Sequence, residues 1–340
     1  MKIAAVILAA AVLASLIIIN ITGKEVVIER TLLCMGTVVQ IRVPVSSTED
    51  RALAMSAIDK AFDELRRVEG VFSVYLNESE ISRINRSRPG EKVKVSDETF
   101  GLLERSLDGY HKTKGAFDIT VKPLVDLWKA AGAKKRLPGD EELKTALAKV
   151  GSQYIELDSA GRTVSFKKED MAIDLGGIAK GYATDRAVMV LKENGIKNAI
   201  VNSGGDMYCL GRRSGSRLWS CGIQHPRARG YVFMRVYLQD KAIVTSGDYE
   251  KYFILGGRRY SHIIDQRSGY PIGDDVVSAT TIAYDAATAD IFATALCILG
   301  KEGLPQAAAN GIQAVIILKK KDGFEIVKSE GFKERYEIAK

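Results

Sequence analysis

The sequence predicts an α+β domain with mixed or antiparallel sheets and flanking helices, preceded by an N-terminal membrane anchor or signal. Three observations predict it. Strand-like runs dominate from residue 219 onward. Helical stripes flank a single strand–turn–helix–strand unit in the middle of the chain, where a doubly wound parallel fold would repeat such units. No internal repeat or low-complexity linker divides residues 24–340, which read as one domain after a separate segment 1–23.

The chain has 340 residues, enough to bury a sizeable core. Its 46% hydrophobic and 27% charged residues are those of an ordinary globular protein. The formal charge is +7, much of it surface lysine. Lys319-Lys320-Lys321 precedes Asp322-Gly323 and reads as a solvated hairpin tip. No basic stripe with interleaved aromatics is present, so nucleic acid is excluded as a partner.

Ile3 to Ile19 is a run of aliphatic and small residues broken only by Ser15. A membrane-spanning helix needs about 17–25 such residues, and the apolar region of a signal peptide only about 7–15. The run is therefore expected to be an uncleaved signal-anchor, with a signal cleaved after Ala11-Val12-Leu13-Ala14 as the second reading. Lys2 marks the cytoplasmic end and Thr22-Gly23-Lys24 the stop. The catalytic domain is thus expected on the periplasmic side of the inner membrane. A buried core helix fits poorly at an extreme N-terminus.

The four cysteines, Cys34, Cys209, Cys221 and Cys297, lack metal-ligand spacing. Leu32 and Leu33 before Cys34 exclude a lipoprotein signal. Cys297 reads as a buried small hydrophobe, and the sequence identifies no disulfide.

Glu25 to Pro44 alternates as a strand pair around Met35-Gly36-Thr37. A helix follows from about Thr48 to Val68, capped by Ser47 or Thr48, with Glu49 and Asp50 at its positive end. Ala54, Ile58, Ala61, Phe62, Leu65 and Val68 form its apolar stripe. Residues 97–112 and 141–150 predict two more helices. Met171–Asp174 reads as a strand end, Leu175-Gly176-Gly177 as a tight turn, and Ile178–Asn194 as a helix closed by Gly195. Lys197–Asn202 is the returning strand. Strands are expected at 219–224, 230–238, 241–245, 251–256 and 259–264, a helix at Asp285–Leu299, and a final hairpin at 312–318 and 324–328.

Four constellations carry possible chemistry. The glycine turn between Asp174 and Lys180 can expose backbone N–H groups to a phosphate, with Lys180 adding positive charge. It has neither dinucleotide-fingerprint nor P-loop spacing, and an ordinary strand-to-helix connection competes with it. Asp290 and Thr294, four apart on a helix, offer hard oxygen ligands suited to magnesium; a solvent-facing pair is the competing reading. His262, before a tight turn, can take a hydroxyl proton near neutral pH, or it can simply be hydrogen-bonded. His225 reads as structural and His111 as exposed. The polar turns Asn202–Asp206 and Thr245–Tyr249 follow apolar strands and suggest loops gathered at one mouth.

Taken in order, these pieces resemble the ApbE-type FAD:protein FMN transferases across roughly residues 30–330. The likeness runs through Met35-Gly36-Thr37, Phe72–Tyr75 with Ser79-Glu80 and Asn85, and Gly115–Leu124. It continues through Asp174–Asp185, Asn202–Asp206, Thr245–Gly247, His262–Pro271 and Ala289–Ala295. The resemblance implies a T-fold-like domain. It implies an FAD site lined by Met35, Tyr75, Ala116, Phe117, Asp118, Asp174, Lys180 and Ile264. It also implies Mg2+ held by the Gly177 carbonyl, Asp290 and Thr294, with His262 as base. Two departures stand out. Gln266 and Ser268 replace the family's common Pro and Thr, and Ala293 stands where some members place another acidic ligand.

The reaction so implied is transfer of FMN from FAD to a Thr or Ser of an acceptor flavoprotein, with release of AMP. Acceptors would be subunits of membrane respiratory complexes or related extracytoplasmic flavoproteins. Two alternatives use the same site: a magnesium-dependent FAD pyrophosphatase giving FMN and AMP, and a non-catalytic FAD-binding protein.

Overall fold

A computed structural model describes residues 16–22 and 25–338 except 229, with side chains from residue 26 onward. Most of the apolar N-terminal run lies outside the described residues. Its last part does not continue as helix: β1 (Leu16–Thr22) is a strand paired antiparallel with β2 (Glu25–Cys34). Among the described residues no helix is long and apolar enough to cross a membrane.

β2 turns into β3 (Thr37–Val45) through Met35 and Gly36, both at positive φ (55° and 66°) as a two-residue hairpin of the favoured twist requires. α1 (Thr48–Phe72) begins at a reciprocal cap. The Ser47 hydroxyl accepts from the Asp50 N–H at 3.0 Å, and the Asp50 carboxylate accepts from the Ser47 N–H at 3.1 Å. The predicted stripe is buried and extends to Ala57 and Phe72. There follow α2 (Glu80–Asn85), β4 (Val93–Lys94), α3 (Asp97–Lys112), α4 (Lys122–Lys134), α5 (Asp140–Leu147), β5 (Ile155–Asp158) and β6 (Thr163–Phe166).

Met171–Asp174 is not a strand; its backbone is spent elsewhere, the Asp174 N–H donating to the Ile119 carbonyl at 2.8 Å. α6 (Ala179–Glu193) leads to β7 (Ala199–Ser203), β8 (Asp206–Leu210), β9 (Trp219–Gln224), β10 (Val232–Leu238) and β11 (Lys241–Gly247). Two hairpins come next, β12 (Tyr252–Leu255) with β13 (Arg258–Ser261), and β14 (Ile264–Asp265) with β15 (Tyr270–Pro271). The expected strand 259–264 is therefore broken at His262 and Ile263, where the chain leaves one hairpin for the other. The chain ends with β16 (Val276–Ala283), α7 (Ala286–Leu299), α8 (Leu304–Ala309), β17 (Gln313–Lys320), β18 (Gly323–Lys328) and β19 (Arg335–Ile338).

Nine strands form one sheet in the order β1-β2-β3-β7-β8-β11-β16-β17-β18, and every neighbouring pair is antiparallel. The two-residue period of the strands sorts its side chains into two cores. Val201, Ala242, Val244, Ala314 and Ile316 face the helices, where α1, α6 and α7 bury their stripes. Ile200, Ile243, Val315 and Ile317 face the small sheet β9-β10-β19 and its Trp219, Met234 and Val236. The molecule is thus three layers, helices on a large sheet on a small sheet. A satellite core joins Leu124 and Trp128 of α4 to Ala146, Tyr260 and Ile264, and it docks the two hairpins beside the helical layer.

Candidate active site

The site is built where α6 meets α7. Gly181 makes the crossing close: a Cβ there would lie 2.3 Å from the Ala286 carbonyl oxygen. The Asp185 carboxylate reinforces it by accepting from the N–H groups of Ala286 at 2.7 Å and Ala287 at 3.0 Å, the first turn of α7. Burial pushes the Asp185 carboxyl up to about 7 against those two bonds.

Asp290 and Thr294 project from one face of α7 toward the turn before α6. Asp290 is buried, and its Oδ2 lies 3.4 Å from the Gly181 N–H. A Cβ on Gly177 would stand 3.2 Å from the Thr294 hydroxyl and 3.1 Å from the Phe117 ring, so only glycine leaves this cradle open. The fold thus brings together Gly177, Asp290 and Thr294, the three predicted metal ligands. The Asp174 carboxylate accepts from the Gly176 N–H at 2.8 Å and fixes the turn.

Lys180, in the first turn of α6, donates to Asp206 Oδ2 at 2.6 Å. Burial works to lower the Lys180 ammonium, but the carboxylates of Asp206 and Asp290 outweigh it and raise it above its ordinary value. The Asp290 carboxyl is raised well above the ordinary range by burial, and then by Asp206. Two carboxylates face one ammonium here in a buried setting. The hard oxygens and the net negative charge fit a divalent cation such as Mg2+. Among the described residues no group of three or more His, Cys, Asp or Glu side chains could hold a metal; the candidate set instead combines carboxylates with a hydroxyl and a carbonyl.

Ala116, Phe117 and Ile264 are buried at this end of the molecule, and Met35 is half-buried at its hairpin tip. That tip packs beside the Asn202–Asp206 turn, with the Gly204 N–H donating to the Val38 carbonyl at 3.1 Å. Asp118 is held by the protein itself. It accepts from the N–H and hydroxyl of Thr120 and from the hydroxyl and N–H of Ser152, at 2.5 to 3.1 Å. Tyr75 is 77% exposed, and its hydroxyl lies 2.8 Å from the Lys129 ammonium, a residue the sequence did not single out.

His262 lies between the two hairpins. The Lys251 carbonyl oxygen accepts from its backbone N–H at 3.0 Å and lies 2.9 Å from Nδ1. A carbonyl only accepts, so Nδ1 carries the proton and Nε2 keeps its lone pair. Burial among protein atoms, with the charges of Lys251, Lys180 and Lys129, lowers the imidazole to about 4. The residue is nevertheless exposed on one side, so solvent screening shrinks that shift without reversing it.

Gln266, one of the two departures from the family turn, is buried and donates through Nε2 to the Gly115 carbonyl. It ties the His262–Pro271 loop to the Gly115–Asp118 turn, and the Trp128 indole N–H adds a second tie to the Gly269 carbonyl at 2.8 Å. The other two histidines behave as predicted. His225 Nδ1 accepts from the N–H groups of Arg227 and Ala228, and His111 is exposed. In the Thr245–Tyr249 turn, Asp248 is committed to a two-pronged ion pair with Arg227 at 2.8 Å.

The chain and its fold have counterparts among known proteins. The chain is 35% identical over 305 residues to the FAD:protein FMN transferase of Vibrio cholerae, covering 88% of this chain and 90% of that one. It is 33% identical to the FAD:protein FMN transferase of Treponema pallidum, covering 80% and 79%. The ApbE protein of Thermotoga maritima superposes with a TM-score of 0.80 at 36% identity, over 89% of this chain and 97% of that one. The flavin transferase ApbE of Vibrio cholerae gives 0.78 at 32% identity, over 90% and 98%. The fold is that of these flavin transferases, and the chain is a transferase enzyme. The ApbE family pattern matches residues 35–316, and the chain belongs to the ApbE family.

Proposed function

We propose that this chain is a magnesium-dependent FAD:protein FMN transferase that attaches FMN through a phosphoester to a Thr or Ser of an acceptor flavoprotein. The observation that carries this reading is the convergence of Gly177, Asp290 and Thr294 with the Lys180 ammonium at the start of α6. The relatives' names supply the substrate class.

Gly177, Asp290 and Thr294 would hold the metal, which when bound supplies charge neutralisation and polarisation of a diphosphate. Lys180 offsets further phosphate charge, and phosphoryl transfer depends on such neutralisation and alignment more than on covalent help. Tyr75 offers an exposed flat face to a flavin or adenine ring, and the buried Phe117 ring backs the Gly177 turn from within. His262 Nε2 accepts the proton of the acceptor hydroxyl. The hydroxyl oxygen bonds to the FMN phosphorus, the bond to the bridging oxygen breaks, and AMP leaves with that oxygen.

The acceptor is expected among subunits of membrane respiratory complexes or related extracytoplasmic flavoproteins. The apolar residues ahead of β1 support delivery of the enzyme domain to the periplasmic side of the inner membrane, by a signal or with a tether that keeps it near its acceptor. Release of the chain into the soluble fraction on cell breakage would count against the tether.

Mass spectrometry of a candidate acceptor after incubation with FAD and Mg2+ tests the activity. An FMN-sized addition on Thr or Ser is the expected result. Rapid AMP release without acceptor would instead make the chain a pyrophosphatase, and intact FAD after long incubation would make it a carrier.

A further inference from the structure

We propose that Asp206 is a second carboxylate ligand of the metal site, taking through Oδ1 the coordination position that an acid at residue 293 would otherwise fill. The inference rests on the metal reading above. Asp206 opens β8, directly after a turn in which the Asn202 side chain accepts from the Gly205 N–H at 2.9 Å. It is fully buried. Its two oxygens are used unequally. Oδ2 accepts from Lys180 at 2.6 Å, whereas Oδ1 is buried without a hydrogen-bond partner. A buried carboxylate oxygen left unpaired is destabilising, so its persistence here calls for a ligand.

The Asp290 carboxyl converges on the same first turn of α6: Asp206 Oδ2 holds Lys180 at 2.6 Å, and Asp290 Oδ2 lies 3.4 Å from the N–H of the next residue, Gly181. Two carboxylates brought this close repel unless a proton or cation lies between them, and one neighbouring ammonium neutralises only one of them. At position 293 stands a buried alanine with no ligand atom. Asp206 comes to the site from the sheet, at the start of β8, whereas residue 293 lies on α7. The carboxylate count at the site is then two, with the Thr294 hydroxyl and the Gly177 carbonyl completing the protein's oxygen set.

The competing role is that of a prop: Asp206 would do no more than hold Lys180. The two roles differ in metal affinity measured without any substrate. Mn2+ titration of the full chain, followed by calorimetry or by the spin resonance of free Mn2+, separates them. Asp206→Asn keeps an acceptor for Lys180 but removes a charged ligand. A ligand role predicts Mn2+ binding weakened at least tenfold, and restored in part by adding Ala293→Asp. Equal binding by the unaltered chain and Asp206→Asn overturns the proposal and leaves the metal site standing. Absence of Mn2+ binding by the unaltered chain overturns both. Should circular dichroism show Asp206→Asn to be unfolded, the double variant Asp206→Asn/Lys180→Met, which removes the buried pair together, decides against Lys180→Met alone. Mn2+ binding at least tenfold weaker in the double variant supports the ligand role, and equal binding overturns the proposal.

Discussion

His262 Nδ1 lies 2.9 Å from the main-chain carbonyl oxygen of Lys251. This one contact fixes both the ring's tautomer and the direction of its free lone pair. It also makes the tautomer of His262 independent of the side chain at 251, whose charge acts only on the imidazole's basicity.

The pH profile should show the depressed imidazole. A base works only while neutral, and burial with the lysine charges lowers His262 toward 4. The acid limb of kcat/KM should therefore fall at a pH below the ordinary histidine value of about 6.5. A limb centred at or above 6.5 would show that another group titrates.

His262→Ala should retain FAD binding and lose about 10²–10⁴-fold in transfer rate, the usual contribution of a general base. Labelling of acceptor at the unaltered rate would remove His262 from the mechanism.

Asp290→Ala should abolish transfer together with any response to Mg2+. Equilibrium FAD binding with and without chelator reads the same loss independently. Full activity in chelator, in either protein, would contradict the metal assignment.

Gly181→Ala should lower stability by about 1–3 kcal/mol, because the new methyl must push α6 off α7. Gly177→Ala meets only the Phe117 ring and the Thr294 hydroxyl, at 3.1 and 3.2 Å. It should disturb transfer far more than the melting temperature. Thermal melts beside rate measurements on both variants check the contrast.

Gln266→Ala should loosen the loop that carries His262 and reduce kcat with little change in FAD affinity. Limited proteolysis near Arg267 gives a second readout, with faster cutting expected.

Elements with local signals were legible in the sequence. α1 announced itself through Ser47, Asp50 and a stripe of buried residues, and the helix expected at residues 97–112 is α3, where the structure shows Ser96 as its cap. β16 went unread because Ser278, Thr280 and Thr281 make it look polar. Its two threonine hydroxyls are satisfied only across the fold, Thr280 on Thr245 at 2.8 Å and Thr281 on the Ala289 carbonyl at 2.6 Å. The site divides the same way. Lys180, Asp290 and Thr294 lie in recognisable runs, whereas Asp206 and Lys129 gain meaning only from partners distant in sequence, Lys180 and Tyr75.

The tie from Gln266 to Gly115 has a consequence for descent. It ends on a main-chain oxygen, which is present whatever side chain stands at 115. Exchanges at 266 are therefore felt directly by the loop. Exchanges at 115 are filtered by its backbone, whose φ of 78° favours glycine, and by the Tyr110 ring 3.3 Å from where a Cβ would stand. Over many generations the two positions should drift at unequal rates, with no pairwise covariation between them to betray that they touch.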